Sequence, residues 1–391
     1  MRTSRKLSRI CRLEFGSSYA DGINLTGISD SVTAANSNVL GYSAANRLTS
    51  ATGPWGTESF TYDATGNRLN DNVTSGSTTT RLAAYPATSN RISSLNQNAA
   101  TFRTYAYDAG GNITTDTRPG ETYVFTYNKR NRLSSLTRNA VAYATYGYNA
   151  LEEMTTRFTS ATGGPVGQVA YVYDLDGHLI AEATASSGTT TRDYIWAAAN
   201  DNAPVDMPLA VSDISGSTAT LSYVHTDHLG RPIRMTDATK ATVFQAIYKP
   251  YGEVYSTSGT KAQNLRFPGQ YFQIETGFAT NWHRQYDPIT GRYTQPDPLR
   301  FVDGPSIYNY AAATPLIKTD ASGLFIVTPY TGPALPNSPK PGSGVQQCSD
   351  DDWKWCHDHC WERALVYGKE IQPLYSRCML NCLGMRTPKY W

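Results

Sequence analysis

The sequence predicts a mainly β protein, and three observations carry that prediction. The 391 residues include 27 tyrosines and 31 glycines beside abundant threonine, serine and asparagine, a mixture that favours strands and turns over helices. A short unit recurs along the first half of the chain, in which an aromatic-x-Tyr-Asp/Asn strand leads to a Gly/Asn turn and an apolar pair. Five of the six cysteines fall in the last 44 residues, which marks a separate C-terminal segment.

The recurring unit has a physical reason at each position. Two aromatic residues spaced by two project from one face of a strand and can pack against the next copy. The Asp side chain can bond the turn backbone, as at Asp63, Asp108 and Asp174, and the Gly supplies the positive φ of a tight turn, as at Gly66, Gly111 and Gly177. One hairpin cannot bury its own aromatic face, so the copies must stack. The copies are FTYDATGNRL (60–69), YAYDAGGNI (105–113), FTYNKRNRL (125–133), YGYNALEEM (146–154) and YVYDLDGHLI (171–180), after a degenerate GYSAANRL (41–48).

A string of further motifs follows the repeats. In order and spacing it resembles the RHS-repeat-associated core module. Together with the upstream copies, the resemblance to the RHS or YD-repeat family covers roughly residues 40–324. The motifs are YVHTDHLGRPIRMTD (223–237), YKPYGEV (248–254), FPGQYFQIETGFATNWHRQYDPITGRYTQPDPL (267–299) and YNYAAATPLIKTDASGL (308–324).

The resemblance implies a spiral antiparallel β-sheet that forms a shell, a core module that plugs one end, and a variable C-terminal toxin or effector. A complete shell needs more repeats than this chain carries. We therefore expect a partial shell that is completed by an N-terminal RHS portion, or an open sheet with an exposed edge. The expected boundaries are an unassigned segment 1–40, repeats 41–222, the core 223–324, a Pro-rich linker 325–347 and a small α-helical, cysteine-rich tail 348–391.

The resemblance also implies self-cleavage. In the family the core ends in an Asp-x-x-Gly-Leu string, and the chain is cut after the Leu by an intramolecular, aspartate-dependent reaction. Here the string runs from Asp320 to Leu324, with Ala321 where many members have Pro. The expected cut lies between Leu324 and Phe325.

Two further residues complete the expected site by resemblance: the partner aspartate is Asp297 of QPDPL, and the supporting arginine is Arg284 of HRQYDP. Two carboxylates held close together cannot both ionise cheaply, so the pair with Asp320 can supply an acid and a base. Arg284 can hold the ionised member or polarise the scissile carbonyl. The alternative is that Asp297 and Asp320 only cap turns.

The tail carries two cysteine pairs, and each pair is spaced by four residues, so each lies on one face of a helix. Folding the two helices back about Lys369 sets the pairs opposite each other and predicts a hairpin stapled by disulfides Cys356–Cys382 and Cys360–Cys378, with Cys348 left over. The alternatives are a zinc site on the same four thiolates with His357 or His359, and unpaired thiols. The tail has no nuclease, deaminase, ADP-ribosyltransferase or peptidase signature.

The charge distribution and the start of the chain limit the location and the partners. The net charge of +2 is spread along the sequence, so nucleic-acid binding is not expected. No apolar run reaches the roughly 18–20 residues of a membrane span, and the basic start has no signal-peptide core. We expect synthesis in the cytoplasm and delivery by a specialised system, with no cofactor.

The predicted function is that of the C-terminal part of an RHS-type polymorphic toxin or effector carrier, which cuts itself to release a short tip. A cognate immunity protein is an expected partner. One alternative is a cell-surface or wall-associated protein that binds glycans or proteins through exposed tyrosines. Another is a displaced, non-functional remnant of an RHS gene.

Overall fold

The computed structural model describes residues 15–20, 24–160, 167–197 and 207–327. The predicted linker beyond residue 327 and the tail with its four paired cysteines lie outside this part. The described part contains 26 strands and two single-turn 3-10 segments, Ala34–Asn36 and Ala311–Ala313. None of its helices has the length and apolar character to cross a bilayer.

Twenty-two of these strands form one antiparallel sheet. They are β1 (Phe15–Ala20), β2 (Asn24–Asp30), β3 (Asn38–Tyr42), β4 (Leu48–Gly53), β5 (Gly56–Tyr62), β6 (Arg68–Ser75), β7 (Ser77–Ala84), β8 (Ser94–Gln97), β9 (Ala100–Tyr107), β10 (Ile113–Arg118), β11 (Glu121–Tyr127), β12 (Leu133–Arg138), β13 (Val141–Tyr148), β14 (Met154–Thr159), β15 (Gly167–Tyr173), β16 (Leu179–Thr184), β17 (Thr190–Trp196), β18 (Pro208–Ser215), β19 (Thr218–Thr226), β20 (Pro232–Thr236), β21 (Thr242–Tyr248) and β22 (Val254–Gly259).

Each strand of the large sheet pairs with the next strand in sequence, from β1–β2 through to β21–β22. Among the described residues no pairing joins β22 back to β1, so the sheet is open. The mainly β class and the antiparallel sheet are therefore confirmed. The segment 1–40, where the sequence predicts no repeat, contributes β1 and β2 to the same sheet.

The turns of the repeats have the predicted chemistry. Asp63 Oδ1 accepts a hydrogen bond from the Asn67 N–H at 2.9 Å, and the Asp63 carbonyl accepts the Gly66 N–H at 3.1 Å. Gly66 has a φ of +90°, a backbone conformation that side chains with a Cβ rarely adopt. The copies at Asp108–Gly111 and Asp174–Gly177 repeat this arrangement, with glycine φ values of +94° and +83°.

The tyrosine directly before the Asp or Asn of the unit links each copy to the copy before it. Its hydroxyl donates to a backbone carbonyl where the return strand of the preceding copy begins, or in one case just before a strand. A phenylalanine could fill the same space but could not make this bond. The bonds are Tyr62 to Leu48 (2.6 Å), Tyr107 to Ile92 (2.8 Å), Tyr127 to Ile113 (2.8 Å), Tyr148 to Leu133 (2.8 Å) and Tyr173 to Met154 (2.9 Å), and Trp196 Nε1 donates likewise to Leu179 (2.8 Å).

A register shift accompanies most of these aromatic residues, for example between Gly147 and Tyr148. Such bulges bend a strand and increase its twist. Because the shift recurs from copy to copy, the bend accumulates along the sheet. The same shift occurs at Tyr62, Tyr127, Tyr173 and Trp196.

The aromatic face of the sheet packs against a second, four-stranded sheet from the core module. Its strands are β23 (Gln270–Gln273), β24 (Phe278–Asn281), β25 (Arg284–Asp287) and β26 (Arg292–Tyr293). The ring of Phe278 packs at a tilt against that of Phe125, with 5.6 Å between ring centroids, and the buried Arg103 of β9 pairs with Asp287 at 2.8 Å. Tyrosines of the repeats, among them Tyr123, Tyr146 and Tyr171, are thus buried in this core.

The core module also contacts the turns of successive repeats through hydrogen bonds to their backbone. Asn309 Nδ2 donates to the Gly66 carbonyl at 2.9 Å, and the Tyr308 hydroxyl donates to the Gly111 carbonyl at 2.8 Å. Trp282 Nε1 donates to the Leu151 carbonyl at 2.9 Å. The repeat turns therefore form the seat on which the core module is fixed.

Candidate active site

The guanidinium of Arg284, at the start of β25, is the centre of the candidate site. Its Nη2 donates to Asp320 Oδ2 at 2.9 Å, and its Nε donates to the Gly323 carbonyl at 2.6 Å. Its Nη1 lies 3.0 Å from Asp297 Oδ2 in an ion pair that lacks hydrogen-bond alignment. The three charged residues are nearly inaccessible, with exposed fractions of 2% for Arg284, 5% for Asp297 and 1% for Asp320.

Both aspartates also fix local backbone. Asp297 Oδ1 accepts the Leu299 N–H at 2.7 Å, and Asp320 Oδ1 accepts the Leu324 N–H at 3.0 Å. Turn capping and contact with Arg284 therefore occur in the same side chains, through different oxygens. Asp320 joins the guanidinium directly to the residue after which the cut is expected.

Two residues that sequence reasoning missed complete the surroundings of Asp320. The Tyr293 hydroxyl donates to Asp320 Oδ2 at 2.8 Å, and its ring lies under the Arg284 guanidinium at 3.6 Å from the ring centroid. Asn281 Nδ2 donates to the Asp320 carbonyl and to the Tyr293 hydroxyl oxygen, each at 2.7 Å. These contacts fix the Asp320 side chain and its backbone together.

Burial dominates the electrostatics of the aspartates. It raises the pKa of Asp297 to about 6 and also raises the pKa of Asp320, while the positive charge of Arg284 acts in the opposite direction on both. One guanidinium therefore faces two buried carboxyl groups, and the pair keeps a proton more readily than free aspartates do. Such a pair can provide one acid and one base near neutral pH.

The segment around the expected cut passes close to β24 and β25. Gly323 has a φ of +71°, and a Cβ there would lie 2.4 Å from the Asn281 carbonyl oxygen, so only glycine fits. Thr319 and Val327 exchange backbone hydrogen bonds of 2.8 and 2.9 Å, which close this segment into a loop. Within residues 207–327 no hydrogen bond engages the Leu324 carbonyl.

His283 adds a neutral group beside this loop. Its backbone N–H and its ring Nδ1 both lie within hydrogen-bond distance of the Ser322 carbonyl oxygen, at 3.3 and 3.0 Å. Burial lowers the pKa of His283 to about 4, and the nearby Arg132 charge acts in the same direction. The imidazole is therefore neutral at physiological pH and donates to the loop through Nδ1.

Comparison with known proteins finds relatives of part of this chain. The family described as Teneurin YD-shell matches residues 217–309. Toxin protein Tse5 of Pseudomonas aeruginosa is 37% identical over 108 residues, which make up 28% of this chain and 8% of Tse5. Double-stranded DNA deaminase toxin A of Burkholderia cenocepacia is 35% identical over 136 residues, or 32% of this chain and 10% of that toxin.

A solved structure extends the likeness to the repeats. The crystal structure of TcdB2-TccC3-TEV superposes with a TM-score of 0.63 over 79% of this chain and 17% of that chain, at 19% sequence identity. These likenesses together support an RHS or YD-repeat family for this chain. This chain spans 8%, 10% and 17% of the lengths of these three proteins, in the order named.

The RHS core module holds all the charged residues predicted for the site, and Arg284, Asp297 and Asp320 meet there. Leu324 and Phe325 lie in the described part as well, with the Phe325 side chain 38% exposed. The predicted cysteine staples or zinc ligands, Cys356, Cys360, Cys378 and Cys382, lie outside the described residues. The recognition of the family from its motif string is confirmed.

One group in the RHS repeats could in principle offer three metal ligands among the described residues: Asp174, Asp176 and His178. Asp174 Oδ1 accepts the backbone N–H of Asp176 and of His178, and its Oδ2 lies 3.0 Å from His178 Nδ1. These are the hydrogen bonds of the repeat turn. The turn explains the cluster fully, so we assign no ion to it.

Proposed function

We propose that this chain is the carrier part of an RHS-type toxin or effector, and that it cuts itself between Leu324 and Phe325. The observation that carries the proposal is the buried guanidinium of Arg284. It contacts the carboxylates of Asp297 and Asp320 and the carbonyl of Gly323, one residue before the bond. Arg103 also meets two buried carboxylates, those of Asp116 and Asp287, so the feature that distinguishes the Arg284 site is its contact with the Gly323 carbonyl beside the bond.

The oxygens of the two aspartates suggest separate roles. Asp320 accepts hydrogen bonds from Leu324 N–H, Tyr293 and Arg284, so both its oxygens are committed to holding the loop. Asp297 Oδ2 makes only the unaligned contact with Arg284, so Asp297 is the base.

The reaction is a hydrolysis. A water oxygen adds to the Leu324 carbonyl carbon and gives one proton to Asp297. The C–N bond to Phe325 breaks as that proton passes to the departing nitrogen. The products are a Leu324 carboxylic acid and a Phe325 amine, which then exchange one proton to become a carboxylate and an ammonium group, so atoms and charges balance. Base catalysis from a positioned carboxylate typically accelerates such a step by about 10²–10⁴-fold.

The open sheet and the toxin relatives support the carrier role. The described sheet is open at both β1 and β22, and an open sheet edge offers unpaired backbone groups to further strands. In our proposal an N-terminal RHS portion supplies those strands and completes the shell. The segment after Leu324 is the released tip, it is delivered by a specialised system, and a cognate immunity protein protects the producing cell.

Intact mass spectrometry of the purified full chain tests the cleavage. We expect two species that correspond to residues 1–324 and 325–391. Asp297→Asn and Asp320→Asn should each give one uncut chain, because each removes a carboxylate from the site. The matched control is Asp237→Asn, which alters an aspartate that caps a turn of the core module far along the chain from the site.

A single uncut mass from soluble, folded wild-type protein would overturn the proposal. Cleavage at the wild-type rate in both Asp297→Asn and Asp320→Asn would show that another group performs the reaction. Cleavage lost in Asp237→Asn would indicate a general folding effect instead.

A further inference from the structure

We propose that Asp303 is a positioning residue for this cleavage, which holds the chain on the far side of the Leu324–Phe325 bond through the backbone of Ile326. The inference rests on the self-cleavage proposed above. It adds a third carboxylate to the site, one that no sequence motif singles out.

The contact lies two residues beyond the one made by Asp320. Asp303 Oδ1 accepts the Ile326 N–H at 3.1 Å, and Asp320 Oδ1 accepts the Leu324 N–H at 3.0 Å. The bond to be cut lies between these two anchored amides. Without the Asp303 contact, the first backbone anchor after the bond would be the pairing of Val327 with Thr319.

Asp303 is supplied by a turn that follows directly on the Asp297 turn. The Arg300 N–H donates to the Asp297 carbonyl at 3.0 Å, and the Gly304 N–H donates to the Phe301 carbonyl at 3.3 Å. The two successive turns therefore bring Asp297 to the guanidinium and Asp303 to the departing segment. Movement of one turn would disturb both contacts.

The charges around Asp303 are those of the site itself. Burial and the Asp320 carboxylate raise the pKa of Asp303, while Arg284 and Lys318 act in the opposite direction. Asp303 in turn contributes to the raised pKa of Asp297. Asp303 is thus electrostatically part of the site, although its contact is with backbone rather than with the guanidinium.

The expected benefit is one of orientation. An attacking group and a carbonyl must be held within a narrow range of distance and angle, and a misplacement of about 1 Å can cost roughly 100-fold in rate. With the amides of Leu324 and Ile326 both anchored, the Phe325 side of the bond cannot move away from the site. Loss of the Asp303 anchor should therefore slow the cut without changing the group that takes the proton.

The test is the rate of self-cleavage of the full chain in a cell-free translation reaction, sampled over time and quenched in denaturant. We expect Asp303→Ala to slow cleavage at least about tenfold. Asp303→Asn should cleave at close to the wild-type rate, because the amide Oδ1 can accept the same hydrogen bond. Both variants remove the Asp303 carboxylate, which contributes to the raised pKa of Asp297, so the pH at which the rate is half-maximal should fall in both and by a similar amount.

Ile326→Pro removes the donor from the other side of the contact, since proline has no N–H. It should slow cleavage as Asp303→Ala does, and the double variant should be no slower than the slower single variant. This pair keeps the test decisive if Asp303→Ala fails to fold. Thermal denaturation of each variant separates slow cleavage from unfolding.

Three results would overturn the inference. Equal cleavage rates in Asp303→Ala and wild type would show that the anchor is unnecessary. Equally slow Asp303→Asn and Asp303→Ala, both folded, would mean that Asp303 transfers a proton. An uncut wild-type chain would defeat the proposed cleavage, whereas a cut wild type with unaffected Asp303 variants would defeat only this inference.

Discussion

The hydroxyl of Tyr148 donates to the backbone carbonyl of Leu133 at 2.8 Å and so joins one repeat to the repeat before it. Tyr148→Phe keeps the ring but leaves the buried carbonyl without this donor. We expect the free energy of unfolding to fall by about 1–3 kcal/mol. Chemical denaturation measures it, with Tyr223→Phe, at a tyrosine 45% exposed, as the matched control. Equal losses in the two variants would contradict the role of the bond.

A buried carboxyl in the repeats should make stability depend on pH. Burial raises the pKa of Glu58 from 4.5 to about 9, and the Asp71 carboxylate acts in the same direction against Lys249 and Arg68. The pKa of Glu58 in the folded chain lies above its value in the unfolded chain. The contribution of protonated Glu58 to the free energy of unfolding is therefore complete below pH 4.5, and it is lost as pH rises towards about 9.

The matching variant is Glu58→Gln, which carries no ionisable group. Its free energy of unfolding should fall less between pH 4.5 and about 9 than that of the wild type. Denaturant titrations at a series of pH values measure the difference. Asp176→Asn, on an exposed turn, should keep the wild-type dependence, and an identical pH curve for Glu58→Gln would refute the prediction.

The rate of self-cleavage should rise as pH increases through about 6. Burial raises the pKa of Asp297 to about 6, and Asp297 must be ionised to take a proton from water. The measurement is the initial rate of cleavage of the full chain during refolding across this pH range. A rate that falls with rising pH would assign Asp297 as the acid instead.

Replacing one alanine by glycine should stabilise the core module. Ala312 has a φ of +51° and a ψ of +35°, a left-handed conformation that costs an alanine about 1–2 kcal/mol. Ala312→Gly removes that cost but adds freedom to the unfolded chain, so we expect a gain of up to about 1 kcal/mol. The control, Ala181→Gly in the extended strand β16, should lose about 0.5–1 kcal/mol. If chemical denaturation showed the same loss of unfolding free energy in Ala312→Gly and Ala181→Gly, the left-handed conformation of Ala312 would be ruled out.

The turns and the strand class were predictable because their causes are local. Asp63 and Gly66 act within four residues of each other, and the alternation of aromatic residues is visible in the sequence. The bond from Tyr173 to Met154 was not predictable, because its acceptor is a backbone carbonyl that every residue type carries. For the same reason β1 and β2 were missed, since backbone pairing extends the sheet there without a repeat signal.

The candidate site was predictable only as far as the family motif reaches. The motif singled out Arg284, Asp297 and Asp320. Tyr293 and Asn281 contact Asp320 from other strands, across separations of 27 and 39 residues. Asp303 reaches its partner over 23 residues. These contacts form only when the core module folds, so no local sequence pattern predicts them.

The seat of the core module on the repeat turns fixes an order of events during synthesis on the ribosome. Ser306 donates to Asn67 at 2.8 Å across 239 positions, and Asn309 reaches Gly66 across 243. The early turns emerge long before their partners leave the exit tunnel. The loop that ends at Leu324 emerges after both of them. The repeat turns must therefore be correctly folded before the loop that ends at Leu324 can be positioned. A nascent chain with a misfolded early turn would lack the contacts on which the core module and this loop depend.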